Sequence, residues 1–117
     1  MLAQQNKMDE NLSRLRASIE TNKRDQQVLM ARVRAQREIE DMQETLVAQQ
    51  YGAKMALLQA RDKRLEVERD MMLARNKQKE LESELASAQS ERRAFGMGWR
   101  QKTMEDLLSV TRETFQL

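Results

Sequence analysis

The sequence contains no cysteine, no histidine and no proline, and only 3% of its 117 residues are aromatic. Without cysteine there is no disulfide framework and no thiol chemistry. Without histidine, Ser-His-Asp triads, Cys-His pairs and zinc sites built on Cys and His are excluded. The Gly-x-Gly at residues 96–98 lacks the third glycine and the preceding strand of a phosphate-binding loop. We therefore expect a protein that is not an enzyme and that binds no metal and no cofactor.

An excess of charge of one sign is also lacking, because 21 basic residues are interleaved with 19 acidic ones. Nucleic-acid binding needs uncompensated Lys and Arg on one face, so no specific nucleic acid is expected as a partner. No window approaches the roughly 20 apolar residues of a membrane span, and residues 1–20 contain no apolar run typical of a signal peptide. We expect an intracellular protein, cytoplasmic or cytoskeletal, and a membrane is not its expected partner.

The chain does contain apolar residues that step alternately by three and four. This spacing keeps them on one narrow face of an α-helix, which is buried by packing on another helix. It predicts an all-α, extended coiled coil that binds other helical chains as a homo- or hetero-oligomer. The residues that carry this stripe, called the seam below, are Leu12, Leu15, Ile19, Leu29, Val33, Val67, Met71, Leu81 and Leu85.

Helix-breaking residues are sparse, and they divide the chain unevenly. We predict a flexible N-terminus over residues 1–5 and one long helix over 6–95. Two glycines at 96 and 98 lower helix propensity by about 2 kcal/mol together, which predicts a kink over 96–103. Thr103, with Asp106 three residues on, then predicts the start of a short amphipathic helix over 104–117.

The seam is interrupted by polar residues and by a change of phase. Asn22, Gln26 and Gln36 occupy seam positions, where they either enforce one register or mark a loosely packed segment. Ile39, Met42 and Leu46 keep helical spacing but leave the earlier register, and the seam after Leu57 is out of phase with it. We therefore predict a register shift within the helix near 34–57.

Gly52 lies inside this region and has two interpretations. It could form a turn that folds the chain into a helical hairpin, or it could be an exposed glycine within a continuous helix, at a cost of about 1 kcal/mol. The absence of proline and of a second turn-forming residue nearby favours the continuous helix.

The large side chains near the C-terminus suggest an interaction site, because Trp and Phe bury large areas at interfaces. One interpretation is partner docking, which we favour slightly; the other is that this helix folds back and caps its own coiled coil. The predicted docking residues are Phe95, Trp99, Met104, Leu107, Leu108 and Phe115.

The composition, rich in Arg, Gln, Glu and Met with interrupted heptads, resembles segments of eukaryotic cytoskeletal coiled coils of axonemes, centrosomes and kinetochores. The resemblance covers the whole chain and lies in composition alone. It implies a structural coiled-coil subunit or segment that holds a multi-protein assembly together. The alternative is a membrane-traffic tether or adaptor that docks through the C-terminal amphipathic helix.

Overall fold

The computed structural model describes residues 2–116 and contains two helices, α1 (Leu2–Ala48) and α2 (Lys54–Gln116), with no strand in that range. The predicted all-α class is confirmed. The prediction of one long helix over 6–95 is wrong, because the helix ends at Ala48 and a new one begins at Lys54. Residues 2–5, predicted to be a flexible terminus, belong to α1, and residue 1 lies outside the described range.

The turn between the helices is built by the backbone of residues 46–52. Gln50 adopts a left-handed φ of 62°, the N–H of Tyr51 donates to the carbonyl of Leu46 (2.9 Å), and the N–H of Gln50 donates to Val47 (3.0 Å). This pair of bonds is the Schellman pattern that satisfies the last carbonyls of a helix. Proteins usually have glycine at this left-handed position, so glutamine gave no sequence signal for the end of α1.

Gly52 is required for a different reason, which is the close approach of its backbone to α1. A Cβ atom at this position would lie 2.8 Å from the Cβ of Leu46 and 3.1 Å from its carbonyl carbon. The N–H of Gly52 also donates to the carbonyl of Leu46 (3.0 Å). Of the two interpretations of Gly52, the turn is therefore the one that the structure adopts.

By its contacts the chain divides into two units. The unit Ala17–Glu82 contains the turn and is an antiparallel helical hairpin. Its buried apolar residues come from both helices: Ile19 from α1, with Ala60, Val67, Met71 and Leu81 from α2.

The other unit combines the described parts of Met1–Arg16 and Ser83–Leu117. Leu12 and Leu15 of α1 are buried here, and Leu85, Ala88 and Phe95 of α2 are half-buried. Arg92 donates from Nε to Oδ1 of Asp9 (2.9 Å), which joins the start of α1 to α2 within this unit.

Residues 96–103, where a kink is predicted, lie within α2, and the helix predicted to start at 104 is also part of α2 rather than a separate helix (residue 117 lies outside the described range). Neither Gly96 nor Gly98 has a positive φ. A Cβ at Gly98 would meet nothing within 4 Å, and one at Gly96 would meet only an Arg92 side-chain nitrogen at 3.3 Å. Glycine within a helix lowers stability without ending it, because its N–H still joins the hydrogen-bond ladder.

The register shift predicted near 34–57 is also wrong. The less exposed positions of α1 continue in the original phase through Gln36, Glu40, Gln43 and Val47, although three of them are polar. The apolar residues that suggested a shift, Ile39, Met42 and Leu46, are exposed. The different phase after Leu57 arises because Leu57 belongs to a second helix, which begins after the turn.

Candidate protein-binding surface

The seam residues lie on the sides of α1 and α2 that are shielded from solvent. Leu12, Leu15, Ile19, Val67, Met71 and Leu81 are buried, and Leu29, Val33 and Leu85 are half-buried. The least exposed of them, Leu15, has a relative exposure of 3%. Within each unit the seam is thus covered by the other helix of the same chain, so it does not offer a free surface to other chains.

A charged cluster replaces apolar packing near the turn. It consists of Arg37, Glu40, Arg61, Arg64 and Glu68. Glu40, with a relative exposure of only 8%, accepts hydrogen bonds from Nε of Arg61 (3.1 Å) and from Nε of Arg64. Arg64 also donates to Glu68 (3.0 Å), and Glu68 accepts two bonds from Arg37, from Nη2 at 2.9 Å and from Nε at 3.2 Å.

The geometry of the charged cluster shifts the pKa values of its carboxyl groups. The hydrogen bond from Arg64 lowers the pKa of Glu40 most, the bond from Arg61 lowers it further, and burial opposes both. The hydrogen bonds from Arg37 lower the pKa of Glu68 in the same way, and the bond to Glu40 raises the pKa of Arg64. The cluster therefore holds both carboxylates ionised, which suits an interhelical clamp.

A second polar contact lies farther from the turn, where Gln26 faces Gln78. Nε2 of Gln26 donates to Oε1 of Gln78 (2.5 Å) and to Oδ1 of Asn22 (2.7 Å), while Nε2 of Gln78 donates to Glu82 (2.8 Å). Polar residues at seam positions weaken a coiled coil but penalise other registers. Of the two interpretations of Asn22 and Gln26, the contacts favour the enforcement of one register.

Sequence analysis missed the charged cluster, although a signal for it existed. Glu40 follows Gln36 by four residues, and Arg64 follows Ala60 by four, so both occupy heptad positions of their helices. Extending the heptads without requiring apolar residues would have placed opposite charges on facing positions.

The predicted docking residues do not form one cluster. Phe95 is half-buried beside α1. Trp99, four residues later, occupies the next position of the seam spacing and is 41% exposed. Met104, Leu107, Leu108 and Phe115 are well exposed, with Phe115 at 85%. Every described side chain from 97 to 115 is exposed, so this end of α2 carries a large apolar surface.

Within residues 2–116, no group of three or more acidic side chains is placed to hold a metal ion. Neither helix includes, in that range, a segment both long and apolar enough to cross a membrane. No family model matches the chain, and neither a curated protein nor a solved structure matches it.

Proposed function

We propose that this chain is a non-enzymatic, structural coiled-coil subunit that joins other helical chains in a multi-protein assembly. The observation that carries the proposal is the exposed apolar surface at the end of α2, formed by Met104, Leu107, Leu108, Val110 and Phe115. Contiguous apolar surface of this kind on a helix is typical of a protein-binding site.

The two ends of α2 differ in their packing, and this difference supports the proposal. Residues of α2 up to Phe95 pack on α1, where Leu81 is buried, whereas the segment after Gly96 is exposed throughout its described length. The paired part supplies a folded scaffold, because helices gain most of their stability from packing. The exposed part is then presented on a helix that is already formed, which reduces the ordering cost of binding.

A cytoskeletal host is the proposed setting, on the composition that the chain shares with axonemal, centrosomal and kinetochore coiled coils. The alternative, a membrane-traffic adaptor, would use the same end of α2 on a lipid surface. Interfacial helices usually carry a basic polar face. Residues 97–116 carry Arg100, Lys102 and Arg112 against Glu105, Asp106 and Glu113, so they gain no electrostatic attraction to anionic lipid.

The test compares the full chain with Leu107→Asp, which places a charge in the exposed apolar surface, and with Asp106→Ala as a neighbouring control. Each tagged protein is purified from eukaryotic cells after cross-linking, and cross-linked peptides are identified by mass spectrometry. We expect cross-links from Lys102 to coiled-coil proteins, retained in Asp106→Ala and lost in Leu107→Asp. If the chain instead floats with liposomes and gives no such cross-links, the structural role is refuted and the membrane-traffic adaptor is favoured.

A further inference from the structure

The exposed end of α2 has a heptad of its own. Met97, Gln101, Met104, Leu108, Thr111 and Phe115 step alternately by four and three, and we call them the outer stripe. All six are exposed. Because each residue of a helix is turned by about 100° from the one before, a stripe with this spacing stays on one face over its whole length.

The outer stripe points away from the side of α2 that packs on α1. Ala88, Arg92 and Phe95 mark that packed side, and they are half-buried. Met97 and Met104 are two and nine residues after Phe95, which at about 100° per residue turns them roughly 160° and 180° away from it, to the opposite side of the helix. The outer stripe is therefore not a continuation of the hairpin interface, and α1 does not obstruct it.

We propose that the outer stripe binds a second copy of this chain, so that the ends of two α2 helices pack antiparallel with Leu108 facing Leu108. This inference rests on the proposed function, since it names the first partner of the surface described there. In this arrangement Met104 lies beside Thr111 of the second copy, and Gln101 lies beside its Phe115. The outer stripe is therefore self-complementary: a two-fold axis passes between the two Leu108 side chains, as a two-fold symmetric interface requires.

The charges that flank the outer stripe support a second copy as the occupant. Glu105 directly follows Met104, and Arg112 directly follows Thr111. The antiparallel arrangement brings Glu105 of each copy to Arg112 of the other, so two opposite-charge pairs form by symmetry. Such pairs add little affinity at a surface, but they select the partner and the register.

The hairpin of the same chain contains an ion pair with this geometry. Arg37 directly follows the heptad residue Gln36, Glu68 directly follows Val67, and the two side chains form an ion pair across the antiparallel helices (2.9 Å). Glu105 and Arg112 occupy the equivalent flanking positions of the outer stripe. Antiparallel packing also sets the helix dipoles against each other favourably.

The experiment is a charge exchange measured on the purified full chain by analytical ultracentrifugation. We expect a monomer–dimer equilibrium, a dissociation constant raised about tenfold by Glu105→Arg, and recovery in the double variant Glu105→Arg/Arg112→Glu. In a parallel dimer Glu105 would instead face Arg100, and the exchange at Arg112 would not restore binding. Asp106→Arg, the same charge change on the other side of the helix, should leave the equilibrium unchanged.

Cysteine cross-linking gives an independent measurement, because the chain has no cysteine of its own. Leu108→Cys should form a disulfide-linked dimer, whereas Met104→Cys should form one only together with Thr111→Cys. Circular dichroism confirms that each variant remains helical. A purely monomeric chain, an Asp106→Arg effect equal to that of Glu105→Arg, or linkage by Met104→Cys alone would overturn the proposal. These experiments use the purified chain alone, so a failure of the dimer proposal would not decide whether the chain joins other proteins. That question is answered by the cross-linking test of the proposed function.

Discussion

Gln26 of α1 and Gln78 of α2 lie at equal distances along the chain from Gly52, and their side-chain amides form a hydrogen bond across the hairpin (2.5 Å). Glu40 and Arg64 obey the same relation to Gly52 and also meet across the interface. A slip of one residue between the helices would separate both polar pairs at once. Because unpaired polar groups at an interface cost free energy, the two contacts together hold one register.

We predict that Gln26→Leu/Gln78→Leu raises the stability of the hairpin and weakens its specificity. Two leucines at facing positions bury apolar surface, whereas Gln26→Leu alone removes the donor that Oε1 of Gln78 uses, at a cost of about 1 kcal/mol. The double variant should therefore unfold at higher urea concentration than the single one, and should form additional oligomers by ultracentrifugation. Gln27→Leu, at an exposed neighbouring position, is the control. Equal stability of the single and double variants would contradict the pairing.

Acidification should destabilise the unit that contains the charged cluster. The pKa values of Glu40 and Glu68 are lowered by hydrogen bonds from Arg64 and Arg37 respectively, so the unfolded chain takes up protons first as the pH falls. Their contribution is fully present above the ordinary glutamate pKa of about 4.3 and is lost as the pH falls through the lowered values. Thermal unfolding followed by circular dichroism should show this decline below about pH 4.3.

The matched variants for the acid prediction are Glu40→Gln and Glu38→Gln. Glu40→Gln removes one of the two titrating carboxylates and leaves Arg61 and Arg64 with a neutral acceptor, so the melting temperature should fall at pH 7 and depend less on pH. Glu38 is exposed and should behave as the parent chain does. A pH profile of Glu40→Gln parallel to that of the parent would show that Glu40 is not the source of the decline.

The helices of this fold could be predicted from the sequence, whereas the turn between them and the continuity of α2 could not. The seam spacing from Leu12 to Val33 and from Val67 to Leu85 depends only on helix geometry, so it predicted the helical class. The turn could not be read in the same way, because Gln50 takes the left-handed position that glycine normally marks. The paired glycines at 96 and 98 predicted the start of a separate helix, but α2 continues through both, since helix propensity is a weak prior that the surrounding helix overrides.

The residues of the candidate binding surface could also be predicted only in part. An apolar pattern identified Met104, Leu107, Leu108 and Phe115 as a group, because amphipathic spacing is visible in sequence. Phe95 was grouped with them by composition, although its heptad position places it on the opposite side of α2. Helix geometry alone places Phe95 opposite Met104, but which of the two sides of α2 is covered by α1 is known only from the hairpin.

Replacing Gln50 by glycine should stabilise the turn. A left-handed conformation costs an L-residue about 1 kcal/mol that glycine does not incur, and the two capping hydrogen bonds use only backbone atoms. Gln50→Gly should therefore raise the free energy of unfolding by about 1 kcal/mol in urea titrations. Gln49→Gly, one residue earlier and without a positive φ, should give no gain. A loss of stability in Gln50→Gly would argue against the left-handed cap.

The two glycines Gly98 and Gly52 should respond to alanine with opposite signs. At Gly98 the helix is continuous and a Cβ meets nothing within 4 Å, so Gly98→Ala should stabilise α2 by about 1 kcal/mol through helix propensity. At Gly52 the new Cβ would lie 2.8 Å from the Cβ of Leu46, so Gly52→Ala must displace the turn and should lower stability. Circular dichroism at increasing urea concentration measures both changes. If the chain formed one continuous helix through residue 52, both substitutions would stabilise it, so a gain in Gly52→Ala would refute the hairpin.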